Sequence, residues 1–437
     1  MRLASLTLSQ FRLFEHFTLD FEPGVTVLVG RNASGKSTVL DAAAVVLGAW
    51  VSGFSAINED RLIKKEDARV ATIQRGGVST SEARYPVVVS GVVVWPILEP
   101  LEEANIDVTR ELKSVEGRTT RVGSAVLRRF ANRCESELTA ETPEDLPLVA
   151  YYGTGRLWVQ KRETVDAELR SRLGGYHAAL ESASDHKRFE SWMKWREEDR
   201  VQRLALASEE GRPLDQVEAL DLVAVSAAAC SCLEGARRVH YSVAHKELRV
   251  DFEGGVTMPF AALSDGQRNL VALAADLAWR ATQLNPHLGA DAPKQTRGVV
   301  LIDELELHLH PRWQQRVLGD LTRAFPALQF IVTTHSPQVM SSAPKGSVRL
   351  LDGAQVHRVE HLRGKDANAI IEDVFGEPSR PREFVAKLEE LARLIEDNDL
   401  TPARALIVEL EALWGSDDTA LVGARWEIEH KEADAAD

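Results

Sequence analysis

The stretch "VTVLVGRNASGKSTVLDAAAVV", residues 25–46, decides the fold. An apolar, β-branched run, Val25–Val29, stops at Gly30, and helical apolar spacing resumes after Thr38. That is strand, loop, helix, with Gly30–Ser37 matching the phosphate-loop pattern G-x-x-x-x-G-K-S. Gly30 and Gly35 let the backbone curl so that successive N–H groups face a β-phosphate. Lys36 supplies a point charge for the β- and γ-phosphates, and the Ser37 hydroxyl is a Mg²⁺ ligand. Asn32, Ser34 and Thr38 complete the expected nucleotide-binding set.

A second segment supplies acid. In "RGVVLIDELELHLHPRWQQRVLGDL", residues 297–321, the short apolar strand Val299–Ile302 ends in Asp303-Glu304. An all-apolar run of this kind suits a strand buried on both faces of a parallel sheet. Carboxylates at its C-terminal end stand where open α/β sheets bind ligands. Asp303 is the expected second metal ligand, and Glu304 the group that polarises the attacking water. His308 and His310, two apart, suit a metal pair only on extended backbone, and no Cys cluster lies nearby. A third strand, Phe330–Val332, ends in Thr333-Thr334-His335-Ser336, which places His335 to contact the γ-phosphate or position water.

"LSDGQRNLVALAADLAWR", residues 263–280, puts Ser264, Gly266 and Gln267 just ahead of a long apolar helix, a favourable place for an anion. The chain thus has two phosphate-binding features, about 230 residues apart.

These four motifs, in this order, resemble the ABC-type ATPases, specifically the branch holding the RecF, Rad50, SMC and OLD-like proteins. The resemblance implies an α/β, ABC-type P-loop ATPase head of two lobes, one a mixed sheet and one helical. It implies ATP with Mg²⁺, hydrolysed to ADP and phosphate, and a head-to-tail pair of chains. Ser264, Gly266 and Gln267 would then cap the γ-phosphate of an ATP held by a second copy. Asp265, where transporters carry glycine, departs from the pattern and has to point away from phosphate. "YYGTGRLW" (151–158), "FESWMKWREEDR" (189–200) and "DELELHLHP" (303–311) look like the PtuA-type ATPases of Septu and retron-linked anti-phage systems. In that group the ATPase works with a separate HNH-type nuclease, so no nuclease activity is expected of this chain itself. The alternative is a RecF/Rad50-like repair ATPase that binds DNA directly. A transporter motor fits poorly, because "DELELHLHP" and the long segment between the lobes depart from that pattern. Gln74 and Gln160 compete as the nucleotide-sensing glutamine, and nothing in the sequence chooses between them.

Composition sets the remaining bounds. Of 437 residues, 44% are hydrophobic and 27% charged, an ordinary globular balance. No uncharged apolar run reaches the roughly 18 residues of a membrane helix, no signal peptide is evident, and three cysteines are too few for a disulfide framework. A cytoplasmic protein is expected. The net charge is −14, but residues 366–437 hold 19 acidic against 7 basic residues, so the tail carries −12 and the remainder −2. Residues 110–133 hold seven Lys/Arg against two Glu, so bulk acidity does not exclude local nucleic-acid contact.

Four regions follow: an N-terminal lobe with the P-loop (1–154), a short helical insertion (155–240), a C-terminal lobe with signature, acidic strand and switch histidine (241–365), and an acidic helical appendage (366–437). The insertion is too short for a long coiled coil, and its Trp192 and Trp195 are expected to pack on the ATPase body. "VRLLDGAQVHRV" reads as a hairpin turning at Asp352-Gly353. In the appendage, Leu388, Leu391 and Ile395 share one helix face; Thr401-Pro402 is expected to open a second helix lined by Leu406, Leu410 and Leu413. A third segment carries Leu421, Val422 and Trp426. This tail could cap the core or dock a partner; it lacks the acidic strands of a Toprim nuclease.

Overall fold

A computed structural model describes the chain apart from residues 58–59, 76–77, 97–102, 139–143, 158–170, 182–185, 214–218 and 435–437. Two compact units result, Met1–Asp366 and Ala367–Asp437.

The first unit is built on a six-stranded sheet. Its strands run in the order Gln355–Val359, Val348–Asp352, Val25–Val29, Leu328–Thr333, Gly298–Ile302 and Leu148–Tyr152. All neighbours are parallel except the Gln355–Val359 edge strand, which returns antiparallel from a two-residue Gly353-Ala354 loop. The four apolar runs Val25–Val29, Leu328–Thr333, Gly298–Ile302 and the edge strand Leu148–Tyr152 are buried along their length, as expected for strands covered on both faces. Register then does the functional work. Ile302 pairs with Val332 and Tyr152, and Thr333 pairs with Leu28. The loops after three adjacent strands therefore leave the sheet at one edge.

An antiparallel sheet of Phe14–Asp20, Arg2–Phe11, Val87–Pro96 and Glu103–Leu112 forms the other layer. Between the two sheets lies the helix Lys36–Val51, touching Val87–Pro96 on one side and the strands Gly298–Ile302 and Leu328–Thr333 on the other. That position explains its apolarity on every face. Gln329 ties the sheets together: its amide donates to the Leu3 and Glu22 carbonyls, both at 2.8 Å, and accepts from Leu3 N–H at 2.7 Å. A buried amide so fully satisfied favours the fold instead of opposing it.

The helical part comprises His186–Glu209, Leu220–Ser231 and the signature helix Asp265–Leu284. Trp192 is buried, its ring 6.3 Å from that of Trp279 on the signature helix, so it packs on the ATPase body. The strand Ala236–Ser242 pairs with Glu247–Phe252 and so crosses the boundary drawn at residue 240.

The second unit is a small bundle of Arg382–Glu396, Leu400–Trp414 and Thr419–Asp434. Leu391 and Ile395 are buried in it, with Leu388 packed alongside. Two expectations shift by part of a turn. The second helix starts at Leu400 after Asp399, so Thr401 is not its cap. Its buried line is Ala403, Ile407 and Leu410, while Leu413 is 60% exposed. In the third helix Leu421 and Ile428 are buried, but Val422 and Trp426 face outward. A four-residue stretch of spacing cannot fix the phase of a short helix, because i+3 and i+4 partners both satisfy the pattern.

Candidate nucleotide site

The phosphate loop begins where the sheet ends. Gly30 has φ +152°, and a Cβ there would sit 2.6 Å from the Leu351 carbonyl oxygen, so only glycine fits. Gly35, at φ +96°, stands at the N-terminus of the helix that Lys36 opens. Lys36 is 7% exposed, and its ammonium donates to the Gly30 and Arg31 carbonyls, both at 2.9 Å. Burial pulls this ammonium below the ordinary lysine value, while the carboxylates of Asp303, Glu304 and Glu306 hold it up. Ser34 Oγ is buried with no hydrogen-bond partner among the described residues. A buried hydroxyl left unpaired inside a loop of this shape suits an anionic ligand.

Asp303 follows the acidic strand and is 6% exposed. Its Oδ1 accepts from Ser37 Oγ at 3.1 Å and from Thr333 Oγ1 at 2.6 Å. The Thr333 hydroxyl accepts in turn from Glu304 N–H at 2.7 Å, and its carbonyl from Leu305 N–H at 3.0 Å. These bonds hold Glu304 at φ +47°, a left-handed conformation that costs a non-glycine residue about 1–3 kcal/mol. Glu304 is partly buried beside Asp303, as is His335 at the end of the next strand. Burial lowers the His335 imidazole below its ordinary value, as does nearby Lys36; Glu306, Glu304 and Asp303 oppose the shift. The shift favours the neutral imidazole.

Ser37 and Asp303 offer hard oxygens at hydrogen-bond separation, a donor pair suited to Mg²⁺, which takes one or two protein ligands and completes its shell with phosphate and water.

The signature helix carries a full capping box. Ser264 Oγ accepts from Gln267 N–H at 3.4 Å, and Gln267 Oε1 accepts from Ser264 N–H and Oγ–H at 3.1 Å each. Asp265 is turned aside into an ion pair with Arg268. Gly266 is buried, and a Cβ there would lie 2.4 Å from the His308 carbonyl of the same chain. This second reason for a glycine was not legible in the sequence. Among the described residues no group of three or more His, Cys, Asp or Glu side chains gathers as a metal site; His308 is an exposed turn residue at φ +63°, and His310 caps the helix Pro311–Gln314, accepting from Arg312 N–H at 3.3 Å.

The phosphate loop, Asp303, Glu304 and His335 thus meet at one sheet edge, while the start of the signature helix packs on the segment after them, with Asn269 Nδ2 donating to the Leu307 carbonyl at 3.2 Å. Asn32 is exposed in the loop and Thr38 buried in the first turn of its helix. Gln74 is exposed on the strand Val70–Arg75, and Gln160 lies outside the described residues. Sequence reasoning overlooked Thr333, whose hydroxyl serves two site residues, and Glu306, the third carboxylate of "DELE". Glu306 Oε2 accepts from Thr334 Oγ1 at 2.7 Å, and Oε1 from His335 N–H at 2.5 Å.

Comparison with known proteins agrees with this chemistry. A model described as "AAA domain" matches residues 5–210. A second AAA-domain model, whose description names the AbiEii toxin and a Type IV TA system, matches residues 156–341. The Retron Ec83 probable ATPase of Escherichia coli is 28% identical, over 99% of this chain and 87% of that protein. The Septu protein PtuA of Bacillus mycoides (strain KBAB4) is 42% identical over 20% of this chain and 12% of its own length. The chromosome partition protein Smc of Mycobacterium leprae (strain TN) is 38% identical over 26% of this chain and 9% of its length. Across the described residues no helix is long and apolar enough to cross a membrane. With four motifs in order and their side chains gathered on one α/β scaffold, the chain is similar to the probable ATPases of retron systems along its length and, over shorter stretches, to Septu PtuA and Smc proteins.

Proposed function

We propose that this chain is the ATP-hydrolysing, regulatory component of a bacterial anti-phage defence complex, acting with a separate HNH-type nuclease. The observation that carries the chemistry is the meeting of Ser37 with Asp303 beside Lys36, Glu304 and His335. Lys36 exchanges its loop carbonyls for β- and γ-phosphate oxygens, and Ser34 finds its missing partner there. Ser37 and Asp303 hold Mg²⁺, which when bound neutralises charge developing on the phosphates. Glu304 accepts a proton from the attacking water. His335, neutral, donates or accepts a hydrogen bond at the γ-phosphate. A second copy completes the site head to tail. Its Ser264 and the helix N-terminus beside it face the phosphate, while Gly266 keeps that end seated on its own chain.

The biological half of the proposal rests on the 28% identity to a retron ATPase across 99% of the chain. Expression together with the neighbouring genes, followed by affinity purification and mass spectrometry, tests it. A stoichiometric HNH-type nuclease supports the reading. A homodimer recovered alone, with hydrolysis accelerated by DNA in a salt-sensitive way, replaces it with a repair-type clamp.

A further inference from the structure

We propose that Glu306 is a positioning residue for hydrolysis: it sets where His335 stands. The inference rests on the proposed role of His335 at the γ-phosphate. Both oxygens of the Glu306 carboxylate are occupied by consecutive residues of the switch turn, Oε2 by Thr334 Oγ1 at 2.7 Å and Oε1 by His335 N–H at 2.5 Å. Thr334 is fully buried. Glu306 hangs from the segment that starts at Asp303. That segment is already joined to the same strand end by the Asp303–Thr333, Glu304–Thr333 and Leu305–Thr333 bonds. The clamp therefore fixes the backbone of the histidine relative to the two acidic residues, not to the body of the protein at large. A carboxylate is suited to this because it only accepts, and because a charged acceptor makes the shorter, stronger bond. Its charge also acts on Lys36 and the His335 imidazole in the same sense as those of Asp303 and Glu304.

A small displacement of a reacting group can cost up to about a hundredfold in rate. The test is steady-state ATP hydrolysis by Glu306→Ala and Glu306→Gln, each alone and in a His335→Ala background. Glutamine keeps an acceptor for His335 N–H and offers an amide that Thr334 Oγ1 can accept. We expect Glu306→Ala to lower kcat about tenfold or more with KM for ATP within about threefold. Glu306→Gln should stay within about threefold of wild type. In the His335→Ala background neither variant should lower the rate further, since the two residues then act as one unit. If Glu306→Ala fails to fold, Thr334→Val, which deletes one of the two bonds together with the Ser336 N–H bond to the same hydroxyl and leaves the charge, should show a smaller loss that likewise vanishes without His335.

A loss that persists undiminished in the His335→Ala background overturns the proposal, as does a Glu306→Gln variant as slow as Glu306→Ala. If His335→Ala keeps the wild-type kcat, the role of His335 falls and this proposal with it. Additive losses in an enzyme that His335→Ala does slow overturn this proposal alone.

Discussion

The Ser37 hydroxyl donates to Asp303 Oδ1 across 3.1 Å, joining residues 266 positions apart in the chain. The contact exists because the phosphate-loop strand and the acidic strand flank the strand Leu328–Thr333 in one parallel register. It brings together the two oxygens expected to hold magnesium. Asp303→Asn keeps the shape and removes the charge. Hydrolysis should fall by about two orders of magnitude or more, while ATP binding in EDTA stays near wild type. Undiminished, magnesium-stimulated turnover would remove Asp303 from the metal site.

Thr333 holds Asp303 and Glu304 through one hydroxyl. Thr333→Val is nearly isosteric but leaves a buried carboxylate oxygen and a backbone N–H short of a partner, at about 1–3 kcal/mol. Urea denaturation should show that loss, and hydrolysis should weaken as the bend at Glu304 relaxes. A variant as stable and active as wild type would show that the left-handed turn needs no such support.

Acid should act through His335. Its folded value is lowered below 6.5, so the unfolded chain takes up a proton first as pH falls. Stability is then fully present above the unfolded value and is lost as pH drops from about 6.5 toward the folded value. His240 is shifted the same way, so the comparison must be made within one background. His335→Gln should flatten the slope of stability against pH between 7 and 5, measured by thermal unfolding. An unchanged slope would assign it elsewhere.

In the C-terminal unit Leu410 is fully buried and Leu413 is 60% exposed. Leu410→Ala should cost about 2–5 kcal/mol through the cavity it leaves; Leu413→Ala should stay within about 0.5 kcal/mol. Hydrogen exchange in the helix Leu400–Trp414 reads both, and equal effects would mean the helix sits in another phase.

The motifs were legible because their chemistry fixes residue type and spacing together. A glycine, lysine and serine in a strand–loop–helix frame have little freedom, and neither does a carboxylate pair ending an all-apolar strand. Bonds formed only after folding were hidden. Thr333 and Glu306 lie among polar residues with no spacing rule, and their partners come from other strand ends. Gly266 was expected at a phosphate; the His308 carbonyl against it is a second demand for glycine that nothing nearby in sequence announces. The appendage was legible as helices and, for Leu388, Leu391 and Ile395, in phase; in the second helix Leu410 is buried but Leu413 is not, since its short repeat allows two stripes.

The central claim is that Glu304 activates water in an ATP held by Lys36, Ser37 and Asp303 and closed by a second copy. Glu304→Gln tests it most directly, with turnover and particle mass followed together at saturating Mg·ATP. Loss of a general base costs about a hundredfold or more, so turnover should nearly stop. Bound ATP should stay stoichiometric, and light scattering should report a stable dimer. Wild-type turnover by this variant, or a monomer saturated with ATP, would contradict the account.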